Sequence, residues 1–208
     1  MSAAREAILR RVGELAPPGA AVGEVPREYE QRGERGAAAR VDLFCERAAD
    51  YRASVHRVAE AELEAALTAR CEALGARRLG AAAAAPWRPG GVELELDEPA
   101  IDAARLDRLD GVLTGCAAAI AATGTVVLDG SPRCGHRALT LVPDLHLCVV
   151  AGAEIVETVP EAIAALAAPA RAGAPLTFVS GPSATSDIEL RRVDGVHGPR
   201  RLELFVWY

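Results

Sequence analysis

The stretch that decides the fold is Thr123-Gly-Thr-Val-Val-Leu-Asp-Gly130, a short apolar run that ends at an Asp-Gly turn. Such a run is typical of a buried β-strand that leads into a loop. The loop that follows carries Arg133, His136 and Arg137. In open α/β sheets ligands bind beyond the carboxyl ends of strands, so these side chains are candidates for holding a carboxylate or phosphate. A solvated loop with ordinary surface arginines is the alternative interpretation, and the residues alone leave both open.

Further strand-like runs lie on both sides of this stretch, and helical segments alternate with them. The clearest runs are Leu145–Val150, Leu176–Val179 and Leu202–Trp207. The sequence Thr158-Val-Pro-Glu161 predicts a helix start, because it combines a capping box with proline in the first turn. This alternation predicts an α/β fold, with a mostly parallel sheet and helices on both faces.

The N-terminal part of the sequence differs in composition and lacks these strand-like runs. Residues 2–16 predict a helix, and residues 17–40 predict a loose connector rich in proline, glycine and charge. We therefore divide the chain into an N-terminal extension, residues 1–40, and a single α/β domain, residues 41–208. The early part of that domain is predicted to contain helices at 41–51, 59–74 and 101–109 and short strands at 53–58, 77–85 and 92–96.

A second candidate segment follows the strand at Leu176–Val179. There Ser180-Gly-Pro-Ser183 leads to Thr185 and Asp187. A hydroxyl of this segment can cap a helix whose free N–H groups attract an anion. Alternatively, the segment is only a helix cap, with Asp187 supporting the helix dipole. An aspartate also repels an anionic ligand, so the two interpretations compete.

Two histidines are further candidates. His197 lies in Gly195-Val-His-Gly-Pro199 and is predicted to be exposed. It is either a general acid–base or ligand donor, or a structural side chain that hydrogen-bonds the Gly198–Pro199 turn. His146 lies inside the apolar run Leu145–Val150 and is predicted to be a core or face-lining residue.

The composition excludes several classes of function. All 23 basic residues are arginine, which removes Schiff-base and P-loop lysine chemistry. The net charge of −6 disfavours nucleic acid as a partner. The five cysteines form no Cys-x-x-Cys pair, so we expect neither a metal nor an iron–sulfur cluster bound by this chain alone. There is no Gly-x-Ser-x-Gly elbow and no Gly-x-Gly-x-x-Gly fingerprint.

The N-terminal segment MSAAREAILRR has no continuous apolar core of the signal-peptide kind. No run in the sequence reaches the length of a membrane helix. We therefore expect a cytoplasmic protein that does not contact the membrane.

Taken together, the motifs resemble the LUD domain of the lactate-utilization protein C type. The resemblance covers residues 105–207 and lies in TGTVVLDG (123–130), RALTLVPDLHLCVV (137–150), VPEAI (159–163), SGPSATSDIEL (180–190) and GVHGPRRL (195–202). It implies a fold like the ribose-phosphate isomerase, CoA-transferase and formyltetrahydrofolate cyclo-ligase group. It also implies a role in oxidising L-lactate to pyruvate beside iron–sulfur partner proteins, which would hold the clusters.

From the motifs and this resemblance, we take Asp187 and His197 as the catalytic candidates. The candidates for binding a small carboxylate or phosphate are Gly124, Thr125, Arg133, His136, Arg137, Ser180, Gly181, Ser183 and Thr185. Two positions depart from the family pattern, since Ala122 stands where an acid is usual and Ala184 where an arginine is usual. Two alternatives therefore remain: a stand-alone enzyme of cyclo-ligase or acyl-transfer type, and a non-catalytic regulatory or scaffold protein.

Overall fold

The structure is a computed structural model that describes residues 3–15, 23, 25–26, 28–185, 193–195 and 197–208. The helices are α1 (Ala3–Leu15), α2 (Ala37–Asp50), α3 (Leu63–Leu74), α4 (Ala103–Leu106), α5 (Val159–Ala165) and α6 (Ala167–Arg171). The strands are β1 (Ser54–Val58), β2 (Arg78–Ala81), β3 (Glu93–Leu96), β4 (Gly111–Thr114), β5 (Ala118–Ile120), β6 (Thr125–Leu128), β7 (Leu145–Ala151), β8 (Ile155–Val156), β9 (Thr177–Val179), β10 (Ala184–Thr185), β11 (Val193–Asp194) and β12 (Arg201–Trp207).

The centre of the fold is a six-stranded sheet in the order β1-β12-β7-β4-β2-β3. Every neighbouring pair in it is parallel. The two longest strands, β7 and β12, lie side by side and are almost entirely buried. Burial on both faces explains why these strands are mostly apolar in sequence, with His146 and Glu203 as the buried exceptions. The predicted α/β fold with a largely parallel sheet is confirmed.

Side-chain alternation along the strands gives the sheet two apolar faces. On one face, Leu67 of α3 packs in a cluster with Leu147 and Phe205. On the other face, Phe44 of α2 packs in a cluster with Cys148, together with residues of a second sheet. Helices thus cover both faces, as predicted, and the second sheet shares one face with α2.

The second sheet has the order β8-β5-β6-β9 and is mixed. The apolar run Thr125–Leu128, within the stretch 123–130, forms its strand β6, which pairs antiparallel with both β5 and β9. The fold-deciding strand therefore does not belong to the parallel sheet. Strands β5 and β8 were not predicted, because Ala118–Ile120 and Ile155–Val156 are too short to show a period.

Several local predictions are confirmed. Thr158 caps α5, and the Glu161 carboxylate accepts a hydrogen bond from Thr158 N at 2.7 Å. Helix α3 ends at Leu74, as predicted, and Gly75 follows it with φ +70°, the left-handed conformation that suits glycine. The helix predicted over 101–109 is wrong in length, because only Ala103–Leu106 is helical. The Asp110 carboxylate accepts hydrogen bonds from two backbone N–H groups at the start of β2. Asp110 is therefore held beside β2, and strand β4 begins at the next residue.

The strand predicted over 77–85 is also shorter than expected and ends at Ala81. Ala84 N donates to Pro132 O at 2.7 Å, so the chain has left the sheet by that point.

Part of the predicted connector is held against the domain. Arg35 N donates to the buried Glu157 carboxylate at 2.7 Å, and its guanidinium pairs with the same group. Helix α2 begins at Ala37, four residues before our prediction.

Helix α1 buries none of its residues, and its apolar side chains are exposed. The division of the chain at residue 40 stays a prediction. No helix within the described ranges combines the length and apolar character needed to cross a membrane.

Candidate functional site

A pocket of about 270 Å³ lies where three loops meet, and we call it the three-loop pocket. One loop is the 3-10 turn at Arg137–Thr140, another follows β9, and the third precedes β12. Five of the predicted site residues line it: Arg137, Ser180, Gly181, Ser183 and His197. The fold thus brings together residues that are up to 60 positions apart in the chain.

Hydrogen bonds fix the last two loops to each other. Ser183 N donates to Pro199 O at 2.8 Å, and Gly195 N donates to Ser183 O at 2.9 Å. The Ser183 hydroxyl accepts from His197 N at 3.1 Å. Strands β10 and β11 continue this pairing as a short antiparallel ribbon. His197 is exposed, as predicted, and its backbone is held by this ladder.

A row of hydroxyl groups joins the start of β6 to the pocket. Thr125 Oγ1 lies 2.7 Å from Thr123 Oγ1 and 2.7 Å from Ser180 Oγ. Thr125 is buried, whereas Ser180 is exposed, so the row runs from the interior of the domain to the pocket surface. Thr125 therefore supports the pocket from behind through Ser180, which itself lines the wall.

We expect Thr125→Val to lower the free energy of unfolding by about 1–2 kcal/mol, because it removes a buried donor and acceptor and leaves two hydroxyls without their partner. Urea unfolding followed by circular dichroism measures the change. Thr177→Val is the matched control, since the Thr177 side chain makes no hydrogen bond with a described residue. Equal stability of the two variants would show that the hydroxyl row does not hold the pocket.

The floor of the pocket contains His146, which is only 1% exposed. Its Nε2 lies 2.8 Å from Thr114 Oγ1 on the neighbouring strand β4. His146 also affects the buried Cys148. The pKa of the Cys148 thiol is lowered, mainly by a hydrogen bond with the Cys116 thiol and to a smaller extent by one with His146. Our prediction that His146 is a core or face-lining residue is confirmed. No pattern in the sequence indicated that Thr140 would also line the pocket or that Thr114 would partner His146.

The charge of the pocket favours an anion. The Arg137 side chain is exposed and has no ion pair with any described residue. The described lining residues include no aspartate or glutamate. A guanidinium beside serine hydroxyls and an imidazole suits a small carboxylate that also carries a hydroxyl.

Comparison with known proteins agrees with this arrangement of motifs. The family model described as LUD domain matches residues 41–206, which is most of the chain. The chain belongs to the LUD domain family. It is similar to "Lactate utilization protein C" of Deinococcus radiodurans, with 52% identity over 78% of this chain and 77% of that protein. It is also similar to "Lactate utilization protein C 1" of Bacillus mycoides, with 38% identity over 39% of this chain and 36% of that protein.

The crystal structure of a DUF162 family protein from Deinococcus radiodurans has the same fold. It matches with a TM-score of 0.72 and 43% identity over 84% of this chain and 100% of that chain. The predictions of the LUD family and of the α/β fold are therefore confirmed.

In this LUD domain the three basic residues of the loop after β6, which are Arg133, His136 and Arg137, lie apart from one another. His136 Nδ1 lies 2.6 Å from the buried carboxylate of Asp97, and His136 lines a different pocket of about 210 Å³. Arg133 Nη2 lies 2.6 Å from Glu154 Oε1 and lines a third cavity. Of these three, only Arg137 reaches the three-loop pocket. Ligand binding by Arg133 and His136 stays a prediction, and they do not form one clamp with Arg137.

The two glycine candidates of the LUD domain have clear packing roles. Gly124 has φ +60° and lies against the backbone of α2, since a Cβ there would be 2.4 Å from Ala48 N. Gly181 has φ +115°, and a Cβ there would be 2.4 Å from Tyr51 O. Both are sites of close backbone approach, which only glycine allows. Contact of either with a ligand stays a prediction.

Two candidates cannot be placed in the site by their side chains. Asp187 lies outside the described residues, and Thr185 is described only as the end of β10. Within the described ranges, no three His, Cys, Asp or Glu side chains are grouped so as to hold a metal ion.

Proposed function

We propose that this protein is a cytoplasmic component of L-lactate utilization. It supports oxidation of L-lactate to pyruvate together with iron–sulfur partner proteins. The observation that carries the proposal is the 52% identity, over most of both chains, to a protein named for lactate utilization. The five free cysteines are in keeping with a reducing compartment.

The three-loop pocket supports the proposal chemically. L-Lactate has a carboxylate and a hydroxyl on adjacent carbons. We assign the carboxylate to Arg137, and the hydroxyls of Ser180 and Ser183 offer further donors. His197 is the proposed acceptor of the substrate hydroxyl proton, with Asp187 as the second catalytic candidate.

Oxidation of lactate to pyruvate releases two electrons and two protons, so an electron acceptor is required. We assign the electrons to iron–sulfur clusters of the partners. The chain has no Cys-x-x-Cys pair with which to hold such a cluster itself.

Deletion of the gene should abolish growth on L-lactate and leave growth on pyruvate unchanged. Complementation with Arg137→Leu should lower lactate oxidation about tenfold to hundredfold, because a hydrogen bond to a charged group contributes about 1.5–3 kcal/mol. His197→Ala and Asp187→Asn test the catalytic assignments. Arg171→Leu is the control, since Arg171 is an exposed arginine at the end of α6.

Normal growth of the deletion strain on L-lactate would exclude this function. If the deletion strain fails on lactate but all three site variants restore it, the protein acts as a scaffold and catalysis lies elsewhere. Affinity purification from a native lysate tests the partners separately, and recovery of no iron–sulfur protein would contradict that part.

A further inference from the structure

A cavity of about 420 Å³ lies at the carboxyl ends of the strands of the parallel sheet, and we call it the sheet-end cavity. Its lining residues follow different strands: Glu60 comes after β1, Trp87 comes after β2, and Trp207 ends β12. Small molecules bind at this end of open α/β sheets. The volume is in the range of ligand pockets. The described residues that line the three-loop pocket do not line this cavity, so it is a separate place for a ligand.

Two indole rings border the sheet-end cavity. The chain contains two tryptophans, Trp87 and Trp207, and both line it. Each is half-buried and packs against the same apolar cluster, which includes Leu63, so packing restricts the positions of the rings. The face of an aromatic ring carries partial negative charge, and tryptophan attracts cations more strongly than tyrosine or phenylalanine does. The two rings therefore favour a ligand that is positively charged.

Two carboxylates line the same cavity. They belong to Glu60 and Glu64, and both residues are exposed. Glu64 Oε1 accepts a hydrogen bond from Arg88 N at 2.9 Å, which ties the loop that carries Trp87 to the start of α3. The Glu60 side chain has no hydrogen bond or ion pair with a described residue. Its carboxylate is therefore available to a ligand.

Two positive groups oppose these carboxylates, and neither cancels them. Arg133 lines the cavity, but its Nη2 lies 2.6 Å from Glu154 Oε1, so its charge is already matched. The N-terminus of α3 contributes about half an elementary positive charge. Glu60 and Glu64 contribute two full negative charges between them. The balance of the lining is negative, which favours a cation over an anion.

We propose that the sheet-end cavity binds an organic cation, an alkylated ammonium that is attracted by the two indoles and by the carboxylates of Glu60 and Glu64. Leu63 and Pro86 give the cavity an apolar side that suits the alkyl groups of such a cation. A metal ion fits the lining less well, because no three acidic, histidine or cysteine side chains of the described part of the chain are grouped to hold one. The proposal does not depend on the role in lactate utilization.

Choline is the probe, and its control is the uncharged alcohol of nearly the same shape in which a tert-butyl group replaces the trimethylammonium group. We expect calorimetric titration of the full chain to show saturable binding of choline. The alcohol should bind at least about tenfold more weakly, a ratio that corresponds to about 1.4 kcal/mol. Choline should also change the tryptophan fluorescence, since both indoles line this cavity and neither lines the three-loop pocket. No saturable binding of choline, or equal binding of the two compounds, would overturn the proposal.

Substitutions in the wall test the two kinds of attraction separately. Glu60→Gln removes a charge at constant size and should weaken choline binding about threefold to tenfold. Glu62→Gln is the matched control and should bind like the wild type, because Glu62 is exposed in the same 3-10 turn but does not line the cavity. Trp87→Leu should weaken binding about threefold or more, and Trp87→Phe should weaken it less because it keeps a ring. If a folded Glu60→Gln variant bound choline as tightly as Glu62→Gln, the attraction would come from the net charge of the chain and the proposal would be wrong.

Two further substitutions locate the bound choline. Ala84 is exposed on the wall of the sheet-end cavity, and Ala153 is exposed on the wall of a second, apolar cavity that Trp207 also borders. Ala84→Leu should weaken choline binding by narrowing the first cavity, and Ala153→Leu should leave it unchanged. The opposite pattern would place choline in the apolar cavity and overturn the proposal. Circular dichroism confirms that each variant is folded, and if Trp87→Leu does not fold, Ala84→Leu and Glu60→Gln decide the question.

Discussion

Gly124→Ala should lower the free energy of unfolding by about 2–5 kcal/mol, the sum of about 1–2 kcal/mol for a left-handed alanine and about 1–3 kcal/mol for overpacking. Gly124 has φ +60°, so the substituted backbone is strained wherever the side chain goes. The new Cβ would also lie 2.4 Å from Ala48 N and 2.5 Å from Arg47 C. These are backbone atoms of α2, which cannot rotate away as a side chain can. Urea unfolding followed by circular dichroism measures the loss.

Gly75→Ala is the matched control for this substitution. Gly75 has φ +70°, but no heavy atom lies within 4 Å of its added Cβ. It therefore isolates the conformational cost of about 1–2 kcal/mol. If Gly124→Ala costs no more than Gly75→Ala, the contact between α2 and the Thr123–Thr125 turn is not tight.

The same contact links the fold to the pocket. Gly124 lies between Thr123 and Thr125, whose hydroxyls lead to Ser180. Displacement of the Thr123–Thr125 turn should therefore disturb the wall of the three-loop pocket as well as the packing of α2. Two roles account for the Thr-Gly-Thr motif in this chain. Gly124 packs against α2, and the two threonine hydroxyls support the wall of the three-loop pocket.

The central strands could be predicted because their signal is local. Leu145–Val150 and Leu202–Trp207 are long, mostly apolar runs, and burial on both faces favours such a composition. The partner of a strand is not a local property. Strand β6 looks like β7 in its sequence, yet it pairs antiparallel in the second sheet, and only tertiary contacts distinguish the two cases.

The site shows the same limit. The convergence of Arg137, Ser180 and His197 could be predicted because each follows or precedes a strand-like run. The separation of Arg133, His136 and Arg137 could not, because Gly135 with φ +74° and the 3-10 turn at Arg137–Thr140 rotate successive side chains to different sides. The pairing of His146 with Thr114 depends on β4 lying beside β7, which is a matter of strand order.

A group on the α3 face of the sheet, Glu203 with its partners Arg70 and His56, also escaped prediction, since its members lie 133 and 147 residues apart in the chain. The Glu203 side chain is 2% exposed. It accepts hydrogen bonds from Arg70 at 2.9 and 2.7 Å, and its Oε2 lies 2.7 Å from His56 Nε2. A buried carboxylate with this bidentate partner is the kind of pair whose disruption has a large effect.

Arg70→Met should lower the free energy of unfolding at neutral pH by about 2–4 kcal/mol. Breaking a fully buried pair costs about 3–5 kcal/mol, and the figure is reduced because the Arg70 side chain is 32% exposed. Arg78→Met is the control, since its pair with Glu93 is exposed and 3.7 Å long, and such pairs contribute about 0–1 kcal/mol. Adding Glu203→Leu to Arg70→Met should restore much of the loss, because the buried charge that has lost its bidentate partner is then gone.

The effect of Arg70→Met should also depend on pH with a definite sign. Burial raises the pKa of Glu203, but the hydrogen bonds from His56 and Arg70 outweigh it, so the pKa lies below the ordinary value of 4.5. A carboxylate with a lowered pKa in the folded state stabilises the fold above its unfolded pKa, and this contribution is lost as the pH falls through the folded value. Without Arg70, one of the two groups that lower the pKa of Glu203 is lost, so that pKa moves up and less of the stability at neutral pH depends on the charged form. The stability difference between wild type and Arg70→Met should therefore be largest near neutral pH and shrink below the ordinary carboxyl pKa. A difference that stays constant as the pH is lowered would mean that Arg70 stabilises the fold through the packing of its aliphatic stem rather than through Glu203.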